Sequence, residues 1–465
     1  MKADAVIHAL GARIGLDLGA LDPSQRAVVL KTWCAAVGQG QAADVVVTVP
    51  AQPDTVRLLA RLSQSVTREA IECRRGEGWM LHAAAVADDT GAVVVLVGLS
   101  GAGKTTAARV LGREFAYLTD ETVFLARDGA VLPYRKPLSV IESRRGPKSE
   151  RAPETLGLDR PVPERLHVAA IVLLDRRADA EDEASVSVVD LGDALPELVM
   201  QSNYLGEMRA PLRTIGHHAQ AVGGVRRVRY REASQLVPIV RGLLDRPRTS
   251  RPAPRDVGED DARHASRSRW TSAPRYARRP VDDVLPLTDP DRLAVLAHGS
   301  VRVLSGIGPA IWRNAEGAPL SALVQSVVAG VGSPPGASAE EIEDSVRAAV
   351  DALVSEGLLS ETAPRWRIRA DVAWTDDGET ITALPLGEWR RAAPFGIEGS
   401  GAVIWRELAS AVAASADAAS PRELAEAVAL RLQVDQRVAG EWVTAFLDEL
   451  GAAGLVEAET APVAS

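Results

Sequence analysis

The segment Gly98-Leu-Ser-Gly-Ala-Gly-Lys104-Thr105 has the spacing GxxxxGK[ST], and each residue type in it has a chemical reason to be there. Glycines let the backbone adopt left-handed dihedrals and turn successive N–H groups inward onto phosphate oxygens. A helix beginning near Lys104 would add its positive N-terminal end. The spacing predicts that Lys104 reaches the β- and γ-phosphates and that the Thr105 hydroxyl ligates Mg²⁺. The expected phosphate-binding set is Gly98, Ser100, Gly101, Ala102, Gly103, Lys104, Thr105 and Thr106, and the expected cofactors are ATP and Mg²⁺. Lysine occurs only at positions 2, 31, 104, 136 and 148, so a lysine inside a glycine-rich turn stands out from background.

Other residues near this loop carry chemistry of a compatible kind. Tyr117-Leu-Thr-Asp120-Glu121 is an apolar strand ending in two adjacent acids, and Met80-Leu-His82-Ala-Ala-Ala-Val86 sets a histidine at the start of another strand. Phosphoryl transfer mainly needs charge neutralisation and alignment, which a phosphate loop, a lysine, Mg²⁺ and one or two carboxylates supply. Asp175 is an alternative metal ligand, because Ile171-Val-Leu-Leu-Asp175 follows the hydrophobic-strand-plus-acid pattern of ordinary P-loop ATPases. Lys136 and Lys148 lie in a Pro- and Arg-rich stretch, Pro133 to Pro153, which reads as an exposed basic loop or, less simply, as a lid over the site. His217-His218 reads as a surface pair on a helix.

The elements that must hold these residues follow from composition and pattern. A chain of 465 residues has room for roughly three domains of ~150 residues. Hydrophobic content of 46% and charged content of 25% are ordinary for a folded protein. A net charge of −9 argues against a nucleic-acid partner. Two cysteines, Cys34 and Cys73, form no disulfide framework and no zinc spacing, which fits a reducing cytoplasm. Met1 to Asp17 has no apolar stretch of the kind a secretory signal needs, and no run of apolar residues is long enough for a membrane span.

Residues 1–245 mix apolar strand runs (Val45 to Val49, Val93 to Val97, Ala169 to Leu174) with helical stretches such as Ser24 to Val37 and Ser234 to Leu244, predicting an α/β or α+β domain. Residues 246–281, dense in Arg, Pro, Ser and Asp, read as a flexible linker. An internal repeat follows, assigned to 282–363 and 364–460. Gly306-Ile-Gly-Pro-Ala-Ile-Trp312 corresponds to Gly399-Ser-Gly-Ala-Val-Ile-Trp405, and Ser355-Glu-Gly-Leu-Leu359 to Ala453-Gly-Leu-Val456. Helices are expected at Glu340 to Leu353, Pro421 to Leu432 and Ala439 to Leu450, and Asp376-Asp-Gly-Glu379 supplies a hairpin turn. Trp312 and Trp405 are expected in the cores of two small winged-helix modules. The acidic stretch Ala409 to Glu459 disfavours DNA binding by them.

From Gly78 to Val123 the histidine, the loop and the acid pair together resemble the HPr kinase/phosphorylase family, whose members carry a Leu/Ile-His-Gly strand, a G-x-S-G-x-G-K-S loop and an Asp-Asp pair. Glu142-Ser-Arg-Arg-Gly146 is loosely similar to a Glu-x-Arg-Gly element of those enzymes, and Ala169 to Asp175 with Pro211 to Tyr230 look like HPr-kinase-related proteins of peptide-modification operons. The resemblance implies Asp120 as the base that takes the substrate hydroxyl proton, Glu121 as a Mg²⁺ ligand with Thr105, and His82 beside the transferring phosphoryl group. Glu replaces the second Asp, so Asp120 and Glu121 can exchange the parts of base and metal ligand. Both repeats resemble PqqD-type modules, which capture the leader of a ribosomally made peptide as an added strand. The fold class so implied is an α/β (α+β) P-loop kinase domain of the HPr kinase type followed by two winged-helix α+β modules. The implied activity is a cytoplasmic ATP-dependent serine/threonine kinase acting on a precursor peptide, working beside other enzymes of its pathway, with no nucleic acid or membrane partner and the oligomeric state open. The alternatives are a P-loop ATP-binding switch or peptide chaperone, and a kinase of an HPr-like protein.

Overall fold

The computed structural model describes residues 3–38, 42–99, 101–141, 148–181, 183–245, 274–287, 291–362, 364–386, 393–415 and 418–459. They form two compact units, one comprising the described residues up to 245 with Val281–Leu304, the other the strand at 275–278 with the described residues from Ser305 onward.

The first unit begins with a three-stranded sheet of β1 (Ala5–Ala9), β2 (Ala12–Asp17) and β3 (Val45–Thr48), accompanied by α1 (Pro23–Thr32) and α2 (Thr55–Glu72). There follow β4 (Trp79–Leu81), β5 (Ala83–Ala87), β6 (Ala92–Val97), α3 (Lys104–Leu111), β7 (Ala116–Thr119), β8 (Val123–Leu125) and β9 (Val131–Leu132). The hairpin β10 (Leu138–Ile141) and β11 (Lys148–Arg151) leads to β12 (His167–Arg176), β13 (Ser185–Val189), α4 (Leu191–Met200), β14 (Ser202–Asn203), α5 (Pro211–Ala221), β15 (Val225–Tyr230) and α6 (Leu236–Leu244). A six-stranded sheet in the order β13-β15-β12-β6-β5-β7 organises the unit.

Strand β6, Ala-Val-Val-Val-Leu-Val, is buried along its whole length because it lies inside this sheet with helices on both faces. Val93, Val95 and Val97 join α4 and α5 residues in one core, whereas Val94 and Leu96 join α3 and α6 residues in the other. Strand β12 runs parallel to β6 and β15, and β5 runs antiparallel to β6 and β7. The ends of β6, β7, β12 and β15 and the start of β5 therefore gather along one edge of the sheet.

The second unit opens with β16 (Arg275–Arg278). The meander β17 (Asp283–Leu287), β18 (Arg292–Ala297) and β19 (Ser300–Leu304) intervenes in sequence but belongs to the first unit. The second unit resumes with α7 (Gly308–Asn314), β20 (Glu316–Pro319), α8 (Leu320–Val331), α9 (Ala339–Ser355) and β21 (Leu359–Thr362). It ends with β22 (Arg365–Ile368), β23 (Val372–Asp376), β24 (Ile381–Pro385), β25 (Phe395–Ile397), α10 (Gly399–Ser415), α11 (Pro421–Leu432), α12 (Gln436–Ala452) and β26 (Val456–Glu459).

The repeat read from sequence recurs as a repeat of topology. Each copy runs strand, three-stranded meander, helix, extended bridge, two helices, strand, and the closing strand pairs antiparallel with the opening one (β21 on β16, β26 on β22). Trp312 and Trp405 are buried, as their pattern predicts, and the Asp376–Glu379 turn joins β23 to β24 with the Asp377 carboxylate accepting from the Glu379 and Thr380 amides.

Two boundaries differ from the sequence reading. Most of the proposed linker, 246–273, lies outside the described residues, but Arg275–Arg278 is the central strand of the sheet β20-β16-β21. Its arginines hide an alternating strand whose Tyr276 is buried. The meander at 283–304, grouped above with the first repeat, shares a core with α4 and α5 through Leu287, Ala294, Leu296 and Val301. Strand β18 is apolar on both faces, so a one-sided module cannot account for it.

Candidate functional site

The turn after β6 is built around its glycines. Gly101 and Gly103 hold φ of 87° and 89°, the left-handed region that side chains resist. A Cβ on Gly98 would come within 2.9 Å of the Ala102 Cβ and 3.3 Å of the Leu174 Cβ, so only glycine lets the strand enter the loop this closely. Gly103 is the N-cap of α3 and makes no side-chain cap, which leaves the first amides of the helix facing the loop. The Tyr230 hydroxyl donates to the Ala102 carbonyl at 2.9 Å and pins the loop from β15. Lys104, 7% exposed, donates to the carbonyls of Gly98 (2.5 Å) and Leu99 (3.4 Å). Burial lowers the pKa of its ammonium, with Asp120 acting the other way.

A cavity of about 490 Å³ lies over this turn and brings together His82, Gly101, Gly103, Lys104, Thr105, Thr106, Asp120 and Glu121. Ala102 faces a neighbouring cavity, Gly98 underlies the turn, and Ser100 lies outside the described residues. Sheet register explains the convergence: Ala83 pairs with Val97, and Thr119 with Ala85, so His82 and Asp120 fall beside the end of β6. The Ala83 amide donates to the Glu121 carbonyl at 3.1 Å, tying the histidine strand to the acids. Burial first, then the Lys104 charge, hold the His82 imidazole below its usual pKa, so it is neutral at neutral pH.

The sequence missed the residue at the centre of the acid pair. Lys136, expected on an exposed loop, is 3% exposed and places its ammonium 2.9 Å from Glu121 Oε2 and 3.6 Å from Asp120 Oδ1. Burial opposes its charge, but Asp120, Glu121 and Glu150 together outweigh burial, and its pKa is raised. The buried Tyr117 hydroxyl donates to Asp120 Oδ1 at 3.1 Å and contacts the Lys136 carbonyl at 3.3 Å. Glu150 stands behind, hydrogen-bonded by the Ser139 hydroxyl, its pKa pushed up by burial. One signal was available: of the five lysines in the chain, Lys104, Lys136 and Lys148 all line this cavity.

Two other residues named from the sequence, Asp175 and His218, have definite surroundings. Asp175 is held by Arg177 at 2.7 Å and Arg229 at 3.5 Å, on the opposite side of the loop from Asp120. His218 is not on the surface: it is fully buried and stacked on Trp79 with ring centroids 5.8 Å apart. The Glu142–Gly146 element lies outside the described residues.

Among the described residues, no group of three His, Cys, Asp or Glu side chains is placed to hold a metal unaided. Thr105, Asp120 and Glu121 are hard oxygen donors, the kind Mg²⁺ takes when phosphate and water complete its shell, and the acid pair already accommodates one cation, the Lys136 ammonium.

No family model matches the chain, and no curated protein matches it. Among solved structures it is similar to the Hpr(Ser) kinase/phosphatase from Coxiella burnetii, with 12% identity and a TM-score of 0.21 over 36% of this chain and 93% of that one. What the site can do rests on its own geometry. No helix among the described residues is long and apolar enough to cross a membrane.

Proposed function

We propose that this chain is an ATP-dependent phosphotransferase of the HPr kinase type that phosphorylates a Ser or Thr hydroxyl of a ribosomally made precursor peptide. The observation that carries the reading is the convergence of an amide cradle, Lys104 and the Asp120–Glu121 pair on one cavity. Loop amides and the start of α3 would receive the phosphates, and Lys104 would turn from its loop carbonyls to the β- and γ-phosphates. Thr105 and Glu121 would hold Mg²⁺, which supplies charge neutralisation when bound. Asp120 accepts the hydroxyl proton as the hydroxyl oxygen bonds to the γ-phosphorus and the bond to the ADP oxygen breaks. Lys136 steadies both carboxylates, and neutral His82 can donate a hydrogen bond to the phosphoryl group without adding charge.

The repeated C-terminal topology supports a role for PqqD-like, winged-helix leader-binding modules, since each copy presents short sheets whose outer strands, among the described residues, pair on one side, leaving an edge on which a peptide can add as a strand. Tethering would make delivery of the hydroxyl effectively intramolecular. Free Cys34 and Cys73 suit a cytoplasmic setting.

The test is incubation with Mg·ATP and the precursor peptide encoded beside this chain, followed by mass spectrometry for one added phosphoryl group. Asp120→Asn is expected to lower the transfer rate by roughly 10²–10⁴-fold while calorimetry shows nucleotide binding retained. The engagement of both acids by Lys136 favours one second reading, an ATP-binding switch that presents the peptide to another enzyme. ATP hydrolysis by the wild type with no change in peptide mass would select it.

A further inference from the structure

The phosphate loop has two flanks, and the chemistry above uses one. In the sheet, β5 and β7 lie to one side of β6, and β12 and β15 to the other. His82, Asp120 and Glu121 therefore stand on the first flank, and the residues that follow β12 and β15 stand on the second. A cavity of about 780 Å³ opens on that second flank. It meets the first cavity at the loop itself, where Leu99, Gly101 and Arg176 line both.

Its wall combines an apolar floor with planar cations. Leu99, in the middle of the loop, leaves 49% of its surface exposed, and Leu174 and Ala178 continue the apolar surface. Two of the guanidinium groups around it are oriented by ion pairs: Arg177 to Asp175 at 2.7 Å, and Arg227 to Glu197 at 3.1 Å. Held in this way, guanidinium planes stack on aromatic rings at little entropic cost. Arg176 donates from Nε to the Arg231 carbonyl at 3.1 Å, and its stem passes close to Gly103, putting its head at the seam of the two cavities.

We propose that this second cavity is the nucleoside seat. A triphosphate is a continuous chain: with its γ end toward Asp120 and Glu121 and its middle on the loop amides, its other end must emerge on the β12 and β15 flank. There a base would cover Leu99 and stack against the arginines, while Arg176 would bridge to the phosphates. The volume lies within the usual range for small-molecule sites, about 300–1,000 Å³. The inference rests on the nucleotide reading given under Proposed function and adds to it where the base binds.

The test is calorimetry of the full chain with Mg·ATP and, separately, with Mg·tripolyphosphate, which keeps the phosphates and lacks the nucleoside. Wild type is expected to bind ATP about tenfold more tightly than tripolyphosphate, the size of one good stacking contact. Ala178→Trp, an exposed position where a large ring fills the cavity, should erase that preference and leave tripolyphosphate binding unchanged. Arg177→Ala, a milder change, should weaken ATP alone by about threefold. If the preference survives in both variants, or if both ligands weaken together, the base binds elsewhere and this inference fails while the nucleotide reading stands. Equal binding of the two ligands by wild type likewise overturns it. Binding of neither overturns the nucleotide reading as well.

Discussion

Lys136 shows what a single residue can hide in a sequence. Flanked by Arg135 and Pro137 in a basic stretch, it has the surroundings of a surface lysine. It is nevertheless buried between two carboxylates that adjoin the phosphate loop. Removing one partner from a buried ionic group is far costlier than removing an exposed one, because the remaining charges lose their counter-ion without regaining water. Lys136→Met is therefore expected to destabilise the first unit by about 3–5 kcal/mol, read by urea unfolding followed by tryptophan fluorescence. A loss below 1 kcal/mol would mean that solvent reaches the pair. His82 and Asp120 were legible because each adjoins a strand-like run, which begins just after His82 and ends just before Asp120. Lys136 was not, since its partners lie 15 and 16 positions away and meet it only through folding.

At the scale of elements, helix α5 depends on a residue from the distant meander. Its N-cap is Ala210, with φ of 54° and no side-chain cap, so the first amides of the helix lack a local acceptor. Asp283, at the start of β17, accepts from the Leu212 amide at 2.8 Å and the Arg213 amide at 3.3 Å. Arg292 of β18 pairs with Asp190 and Asp193 at the start of α4, adding a second link between meander and helices. Asp283→Ala is expected to cost about 1–2 kcal/mol, the usual loss for a helix cap, seen as a lower melting temperature. Asp283→Asn should recover part of it, because the amide oxygen still accepts. The loop after β6 makes the opposite case, since its constraint is local. Gly98→Val should abolish nucleotide binding in calorimetry, as its side chain would force the loop away from Ala102 and Leu174.

Across the whole first unit, stability should fall with acid in a definite window. His218 is buried between Trp79 and His217, and neither of its ring nitrogens has a hydrogen-bond partner among the described residues. Burial, helped by His217 and opposed by Asp128, lowers its pKa from 6.5 to about 4. The unfolded chain therefore takes up a proton at this position before the folded one does. Stability is full above about pH 6.5 and declines toward pH 4 by roughly 3 kcal/mol from this residue. His218→Phe should flatten that part of the slope in unfolding measured between pH 7 and 4.5. Unchanged slopes would show that water reaches the ring.

The sequence by itself determined whatever is encoded over short stretches: the glycine-rich turn and its lysine, the apolar strands that deliver His82 and Asp120, the Asp376–Glu379 hairpin and the internal repeat. Backbone dihedral needs and side-chain periodicity are local, so they can be read without a fold. Tertiary structure alone decided which charges face one another, that Arg275–Arg278 is a strand, that the meander at 283–304 shares a core with α4 and α5, and that the loop is flanked by two cavities. These outcomes depend on sheet order and on burial from every side, which are sums over residues far apart in the chain.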